Sequence, residues 1–190
     1  MNRESRLNHT ASQEAIHEAG HALERYLLHG TTGAMLPVPL PGKKAGAESE
    51  PLPDCLREPN PNESDEERVV AGPYSEKQRA RLEQEIKTTL AGSVAEGLDW
   101  GREPLEVLED PEQKSDADYA YGIAKLLWPA GQYNAEAVRL ASEVEMELDS
   151  CWQALVDLAE RYDSPPEGLS VSEVKAILIA HDVTPGKQAD

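Results

Sequence analysis

The chain has 190 residues, and 36 acidic residues against 18 basic ones give it a formal net charge of −18. Because this charge repels phosphate groups and anionic lipids, we expect neither nucleic acid nor a membrane surface as a partner. The longest purely apolar run, Ala176 to Ala180, is far shorter than the ~20 residues of a bilayer-spanning helix. The residues after Met1 lack the apolar core of a signal peptide, so we expect a cytoplasmic protein whose two cysteines are thiols.

The first predicted helix covers residues 11–28. Thr10 with Gln13 predicts a capping box at its start, and Gly30 predicts its end. Apolar residues recur along it at helical spacing, so one face is expected to lie in the core. Gly20 is a poor helix residue, and its presence predicts that another element approaches the helix closely.

This helix contains the motif on which the functional interpretation depends, and it reads Ala-Ile-His-Glu-Ala-Gly-His-Ala-Leu from Ala15 to Leu23. Two histidines four residues apart lie on one face of a helix, so His17 and His21 can bind one Zn²⁺. Glu18 can then act as a general base toward a water molecule at the metal. The motif therefore predicts His17 and His21 as zinc ligands and Glu18 as the catalytic residue.

A proline-rich segment follows the first helix. Seven of the 14 prolines lie between residues 34 and 68, and proline lacks the backbone N–H that helices and central strands require. Met35 to Leu40 can still form a short extended segment. We predict one domain over residues 1–190, with a flexible insertion at 41–68 and a disordered tail at 184–190.

Four more helices are predicted after the insertion. Gly92 and Gly97, in the first of them, suggest close packing against the Gly20 side of the first helix. The fold class is therefore mainly α, with at most a small β element near the site. The expected helices cover residues 75–98, 115 to the residue before Pro129, 134–162, and Ser170 to about His181, with a loop over 99–114.

A catalytic zinc site needs a third protein ligand and leaves its fourth position to water. The metzincin pattern places Gly three and His six residues after the second histidine. Those positions hold Glu24 and Leu27, so that class is excluded. Spacing alone still allows the third ligand to be a Glu on a later helix, as in thermolysin-like enzymes.

Two later stretches resemble consecutive signatures of the FtsH-type zinc proteases. The first reads Leu-Ala-Gly-Ser-Val-Ala-Glu from Leu90 to Glu96, and the second reads Ser-Asp-Ala-Asp-Tyr-Ala-Tyr-Gly-Ile-Ala from Ser115 to Ala124. The residues around His17 also match the form that the motif takes in that family. The resemblance covers about residues 10–182 and implies a helical, FtsH peptidase-like domain that acts as a zinc-dependent endopeptidase.

The resemblance also implies the third ligand. In the family the Asp of the second signature binds zinc, and the alignment gives that role to Asp116. A carboxylate in the first turn of a helix is kept ionised by the helix dipole, which agrees with this role. Asp118 is the alternative if the register shifts by two residues. Glu96 can orient a site histidine by accepting its other N–H.

The expected partner is a polypeptide in an unfolded or loop conformation, because the sequence contains neither the transmembrane helices nor the ATPase module of FtsH. A homo-oligomer or a partner ATPase is implied by the resemblance alone.

Two other hypotheses stay open. Prolines alternate over residues 37–41, where the family pairs a strand with its substrate, and this favours a second hypothesis: a non-catalytic interaction module with a structural zinc. A third hypothesis is a metal-free helical adaptor that binds a partner through residues 41–68.

Overall fold

The structure is a computed structural model that describes residues 9–35, 74–110, 114–164 and 168–185. The described residues are mainly helical, as predicted. The segment 41–68 and residues 186–190 of the tail lie outside them. The helices are α1 (Gln13–His29), α2 (Glu76–Trp100), α3 (Pro104–Leu108), α4 (Lys114–Leu127), α5 (Tyr133–Ser150), α6 (Trp152–Tyr162) and α7 (Val171–Ala180).

Helix α2 lies at the centre of the described fold and contacts α1, α3, α4 and α5. Apolar residues recur along it every four positions and form a single ridge, which is buried as the sequence predicts. Helix α1 also packs on α5 and α6, and α7 packs on α6. The buried ridge of α2 consists of Leu82, Ile86, Leu90, Val94 and Leu98.

Helix α1 begins differently from the prediction. Ser12, not Thr10, is the N-cap, and its hydroxyl accepts a hydrogen bond from the backbone N–H of Ala15. Thr10 instead donates its N–H and its hydroxyl to Glu160 on α6. The helix ends at Gly30 as predicted, because its φ of 64° is a left-handed conformation that glycine adopts without strain.

The glycines of α1 and α2 allow two different close approaches. A Cβ atom on Gly20 would lie 2.5 Å from the carbonyl oxygen of Ala91 and 2.7 Å from the Cβ of Ala95, so α1 and α2 approach closely there. The prediction that Gly97 faces α1 is wrong. A Cβ on Gly97 would overlap Cγ2 of Val107, so this glycine makes room for α3.

Two element boundaries also differ from the prediction. The helix expected over 134–162 is two helices that meet at Cys151, whose φ of −113° and ψ of 20° leave the helical region. Leu148 and Trp152 are both buried, so the apolar period continues across the break and conceals it. The expected loop over 99–114 contains α3, because Pro104 occupies a first-turn position where its missing N–H has no consequence.

The β content is as small as expected. Met35 and Leu169 form one isolated antiparallel bridge through two backbone hydrogen bonds of 2.9 and 2.8 Å, and no strand is present elsewhere among the described residues. The remainder of the predicted extended segment lies outside them. Within the described ranges, no helix combines the length and the apolar character needed to cross a membrane.

Candidate metal centre

Helices α1 and α4 bring His17, His21 and Asp116 together. One ligand atom from each residue lies within 4.8 Å of the other two. The two Nε2 atoms are 3.0 Å apart, and Oδ2 of Asp116 lies 3.3 Å from Nε2 of His17 and 3.6 Å from Nε2 of His21. No other group of three potential metal ligands converges in the part of the chain that the structure describes. The three predicted ligands thus form a single cluster.

Helix α2 fixes the orientation of both imidazoles from behind. Nδ1 of His21 donates to the backbone carbonyl of Thr88 at 2.8 Å, and Nδ1 of His17 donates to Oε1 of Glu96 at 2.7 Å. Because a carbonyl and a carboxylate accept these bonds, both Nδ1 atoms carry hydrogens and both Nε2 atoms face the cluster. The predicted hydrogen bond between Glu96 and a site histidine is therefore present.

The cluster attracts positive charge. Burial lowers the pKa of the His17 imidazole, but hydrogen bonds to Asp116 and Glu96, together with their charges, outweigh burial and raise that pKa to about 10. Burial would raise the pKa of Asp116, yet the two imidazoles hold it well below its usual range. With a pKa of about 10, His17 carries a second proton at neutral pH, so its Nε2–H faces Nε2 of His21 and Oδ2 of Asp116. A divalent metal ion at this position would replace that proton.

The space for such an ion depends on Gly92. A Cβ atom at this position would lie 2.5 Å from Nε2 of His21 and 2.6 Å from Nε2 of His17. The next residue, Ser93, places its hydroxyl 3.4 Å from Oδ2 of Asp116. From the sequence, Gly92 is expected only to allow close helix packing, and neither Ser93 nor Thr88 is expected to have a role at the site. The periodicity of α2 is the signal that could identify residues 88 and 92, since they lie on the same helix face as Glu96.

Two further predicted residues, Glu18 and Asp118, do not belong to the cluster. Asp118 is exposed and does not join the histidines, so the structure favours Asp116 over this alternative. Glu18 is half-buried on α1, about 100° around the helix from His17. Burial, and next the charge of Glu18, raise the pKa of Tyr162 to about 12, so the Glu18 carboxylate lies near α6.

The donor set suits zinc. Two neutral imidazoles and one carboxylate are ligands that Zn²⁺ takes in catalytic sites. The exposed fractions of the side chains of His17, His21 and Asp116 are 22%, 21% and 24%, so the cluster is accessible to water.

Comparison of the chain with known proteins gave no matching family model, no similar curated protein and no similar solved structure.

Proposed function

We propose that this chain is a zinc-dependent endopeptidase of the FtsH type, which hydrolyses unfolded or loop segments of polypeptide without an ATPase module of its own. The convergence of His17, His21 and Asp116 within 4.8 Å carries the proposal. The two signatures in α2 and α4 support it, because the second contributes Asp116 to this cluster and the first contributes Glu96, which accepts a hydrogen bond from His17.

Each side chain has a distinct role in the proposed reaction. His17 and His21 bind Zn²⁺ through Nε2, and Asp116 binds it through its carboxylate. The ion supplies Lewis acidity to the peptide carbonyl and to the attacking water. Glu18 accepts the proton of that water and passes it to the leaving amine. Thr88 and Glu96 hold the two imidazoles in the tautomer that the metal requires.

A catalytic site explains the cluster better than a structural zinc does. Structural zinc sites are almost always closed by four protein ligands, whereas three side chains converge in the described ranges. An intact Glu18 next to the first ligand also has no use in a structural site. Measurements of zinc content and cleavage distinguish the endopeptidase from the interaction module.

The decisive experiment measures zinc and cleavage together. Elemental analysis should give about one zinc per chain for the wild type and much less for His17→Ala and Asp116→Ala. Asp118→Asn is the matched control, since this exposed carboxylate lies two residues from Asp116 and outside the cluster. Glu18→Gln should keep the metal but abolish cleavage of casein.

The outcomes separate the three hypotheses. Loss of zinc in the ligand variants with loss of cleavage in Glu18→Gln supports the endopeptidase. Zinc without cleavage of any unfolded substrate supports a structural site in an interaction module. A wild-type protein that takes up no zinc, even after reconstitution, contradicts both and leaves the helical adaptor.

A cytoplasmic location is part of the proposal. The thiol of Cys151 is free and half-buried, and free thiols persist in reducing compartments. Cys55 lies outside the described residues. A homo-oligomer or a partner ATPase stays a proposal by resemblance, and size-exclusion chromatography with light scattering tests the former.

A further inference from the structure

The carboxylate of Glu96 is shared between two residues of α1. Its Oε1 accepts the hydrogen bond from Nδ1 of His17 at 2.7 Å, and its Oε2 accepts one from Nε2 of Gln13 at 2.5 Å. Glu96 itself is only 5% exposed. A carboxylate with one oxygen bound on each side cannot rotate without breaking one of the two bonds. Gln13 therefore limits the orientations in which Glu96 can meet His17.

The start of α1 makes the Gln13 side chain available for this contact. If Thr10 were the N-cap, Gln13 would complete a capping box and turn back to the backbone of Thr10. The N-cap is Ser12, which caps the helix with its own hydroxyl, so the Gln13 side chain is not used for capping. Gln13 lies one helical turn before His17, so both side chains extend from the same face of α1 toward α2. A glutamine amide can donate to Glu96, whereas a glutamate at this position could only accept.

We propose that Gln13 is a positioning residue of the metal centre, which acts through Glu96 to hold the His17 imidazole toward the metal. This inference rests on the proposed metal function. The relay runs from the Gln13 amide to the Glu96 carboxylate and from there to Nδ1 of His17. Its effect is to keep Nε2 of His17 directed at the position where Nε2 of His21 and Asp116 converge.

The relay predicts unequal losses of zinc affinity for two substitutions. Changing residues that orient a metal ligand costs about 10–100-fold in affinity, and Gln13 lies one residue further from the metal. We expect Gln13→Ala to raise the zinc Kd by about 3–10-fold. Gln13→Glu should raise it by more than 10-fold, because two carboxylates then face each other.

Gln13→Glu also separates positioning from a merely structural role. Gln13 is the first residue of α1, where an acidic side chain stabilises the helix through its dipole. A role in helix stability alone therefore predicts an unchanged or higher melting temperature with unchanged zinc affinity. The relay predicts a clear loss of affinity, with a lower melting temperature because the two carboxylates repel each other. Zinc Kd is measured by chelator competition on the full chain.

A double-mutant cycle with Glu96→Gln tests whether Gln13 acts through Glu96. In the Glu96→Gln protein, the new amide can accept from His17 through its oxygen and donate to a carboxylate at position 13. Gln13→Glu should therefore weaken zinc binding in the wild-type background and strengthen it in the Glu96→Gln background. A general effect of added negative charge would have the same sign in both backgrounds and would overturn the inference.

A measurement without metal distinguishes failure of the relay from failure of the proposed function. In the metal-free protein, long-range ¹H–¹⁵N spectra report the hydrogen bonding of Nδ1 of His17. Gln13→Ala should change the His17 Nδ1 signal and leave that of His21 unchanged, since His21 is held by Thr88. This result supports the relay even if the wild type binds no zinc. An unchanged His17 signal in both Gln13 variants overturns the inference, whatever the zinc measurements give.

Discussion

The Nε2 atoms of His17 and His21 lie 3.0 Å apart, while the Nδ1 atom of each ring donates to an acceptor on α2. These outer bonds leave both Nε2 atoms directed at each other and at Asp116. A proton on His17, whose pKa is raised to about 10, satisfies this arrangement in the metal-free protein, and a bound cation is the alternative that uses all three side chains as ligands.

Gly92→Ala should remove metal binding without removing the ligands. The added Cβ would lie 2.5 and 2.6 Å from the two Nε2 atoms, so both imidazoles must move. We expect zinc affinity to fall by about 100-fold or more, the upper range for changes in residues that orient ligands. Elemental analysis and chelator competition measure the loss. A variant that keeps wild-type affinity would show that the rings do not need this space.

Gly20→Ala should instead destabilise the packing of α1 on α2. The new methyl group would meet the backbone carbonyl of Ala91 at 2.5 Å, and a backbone atom cannot move aside as a flexible side chain can. Overpacking of this kind costs about 1–3 kcal/mol in the free energy of unfolding. Denaturant unfolding measures the change.

Gly122→Ala is the matched control for both glycine variants. Gly122 lies in α4 and is exposed, and a Cβ there would have no atom within 4 Å. This substitution should stabilise the protein by up to about 1 kcal/mol, because alanine favours the helix. Similar destabilisation by Gly20→Ala and Gly122→Ala would contradict the close approach of α1 and α2.

Ser12→Ala tests the observed start of α1 against the predicted one. The Ser12 hydroxyl accepts from the N–H of Ala15 and donates to Asp163 at 2.8 Å, so its loss should cost about 1 kcal/mol of stability. Thr10→Ala should cost less than about 0.5 kcal/mol, since it removes one exposed hydrogen bond to Glu160. Thermal and denaturant unfolding compare the two variants. A larger cost for Thr10→Ala would favour the capping box that the sequence predicts.

The sequence was sufficient to predict which three side chains converge. His17 and His21 lie one turn apart on any helix, and Asp116 follows from the resemblance of α4 to the second signature. The buried ridge of α2 was equally predictable, since its period of four residues belongs to one helix face.

The outer contacts of the site could not be predicted in the same way. Thr88 contributes a backbone carbonyl, which every residue carries, so its side chain gives no signal. Gln13 satisfies a local capping pattern, and its contact with Glu96 depends on how α1 packs against α2. The break at Cys151 is likewise hidden by the apolar period, which continues through it, although Asp149, Ser150 and Cys151 are weak helix formers.

Glu24→Gln should change how stability depends on pH. Glu24 is 0% exposed, and burial, followed by the nearby carboxylate of Glu147, raises its pKa to about 9, although the charge of Lys87 opposes this. Lys87 is itself ion-paired with Glu147 at 2.9 Å and with Glu143 at 3.3 Å. The folded protein therefore holds a proton on Glu24 that the unfolded chain releases near pH 4.5.

The sign of the effect follows from this difference in bound protons. Because the folded state binds more protons than the unfolded state between pH 4.5 and about 9, stability falls as the pH rises through that range. A glutamine cannot ionise, so Glu24→Gln should lose less stability between pH 6 and pH 9 than the wild type. The difference should reach about 1.4 kcal/mol or more, the free-energy equivalent of one pKa unit.

Urea unfolding at pH 6 and pH 9 measures this slope for wild type and variant. Asp118→Asn is the control, because it removes an exposed carboxylate and should leave the slope unchanged. Parallel pH dependence in the wild type and Glu24→Gln would mean that Glu24 is ionised in the folded protein. In that case Lys87, which is already ion-paired with two carboxylates of α5, would also have to stabilise a third one from α1.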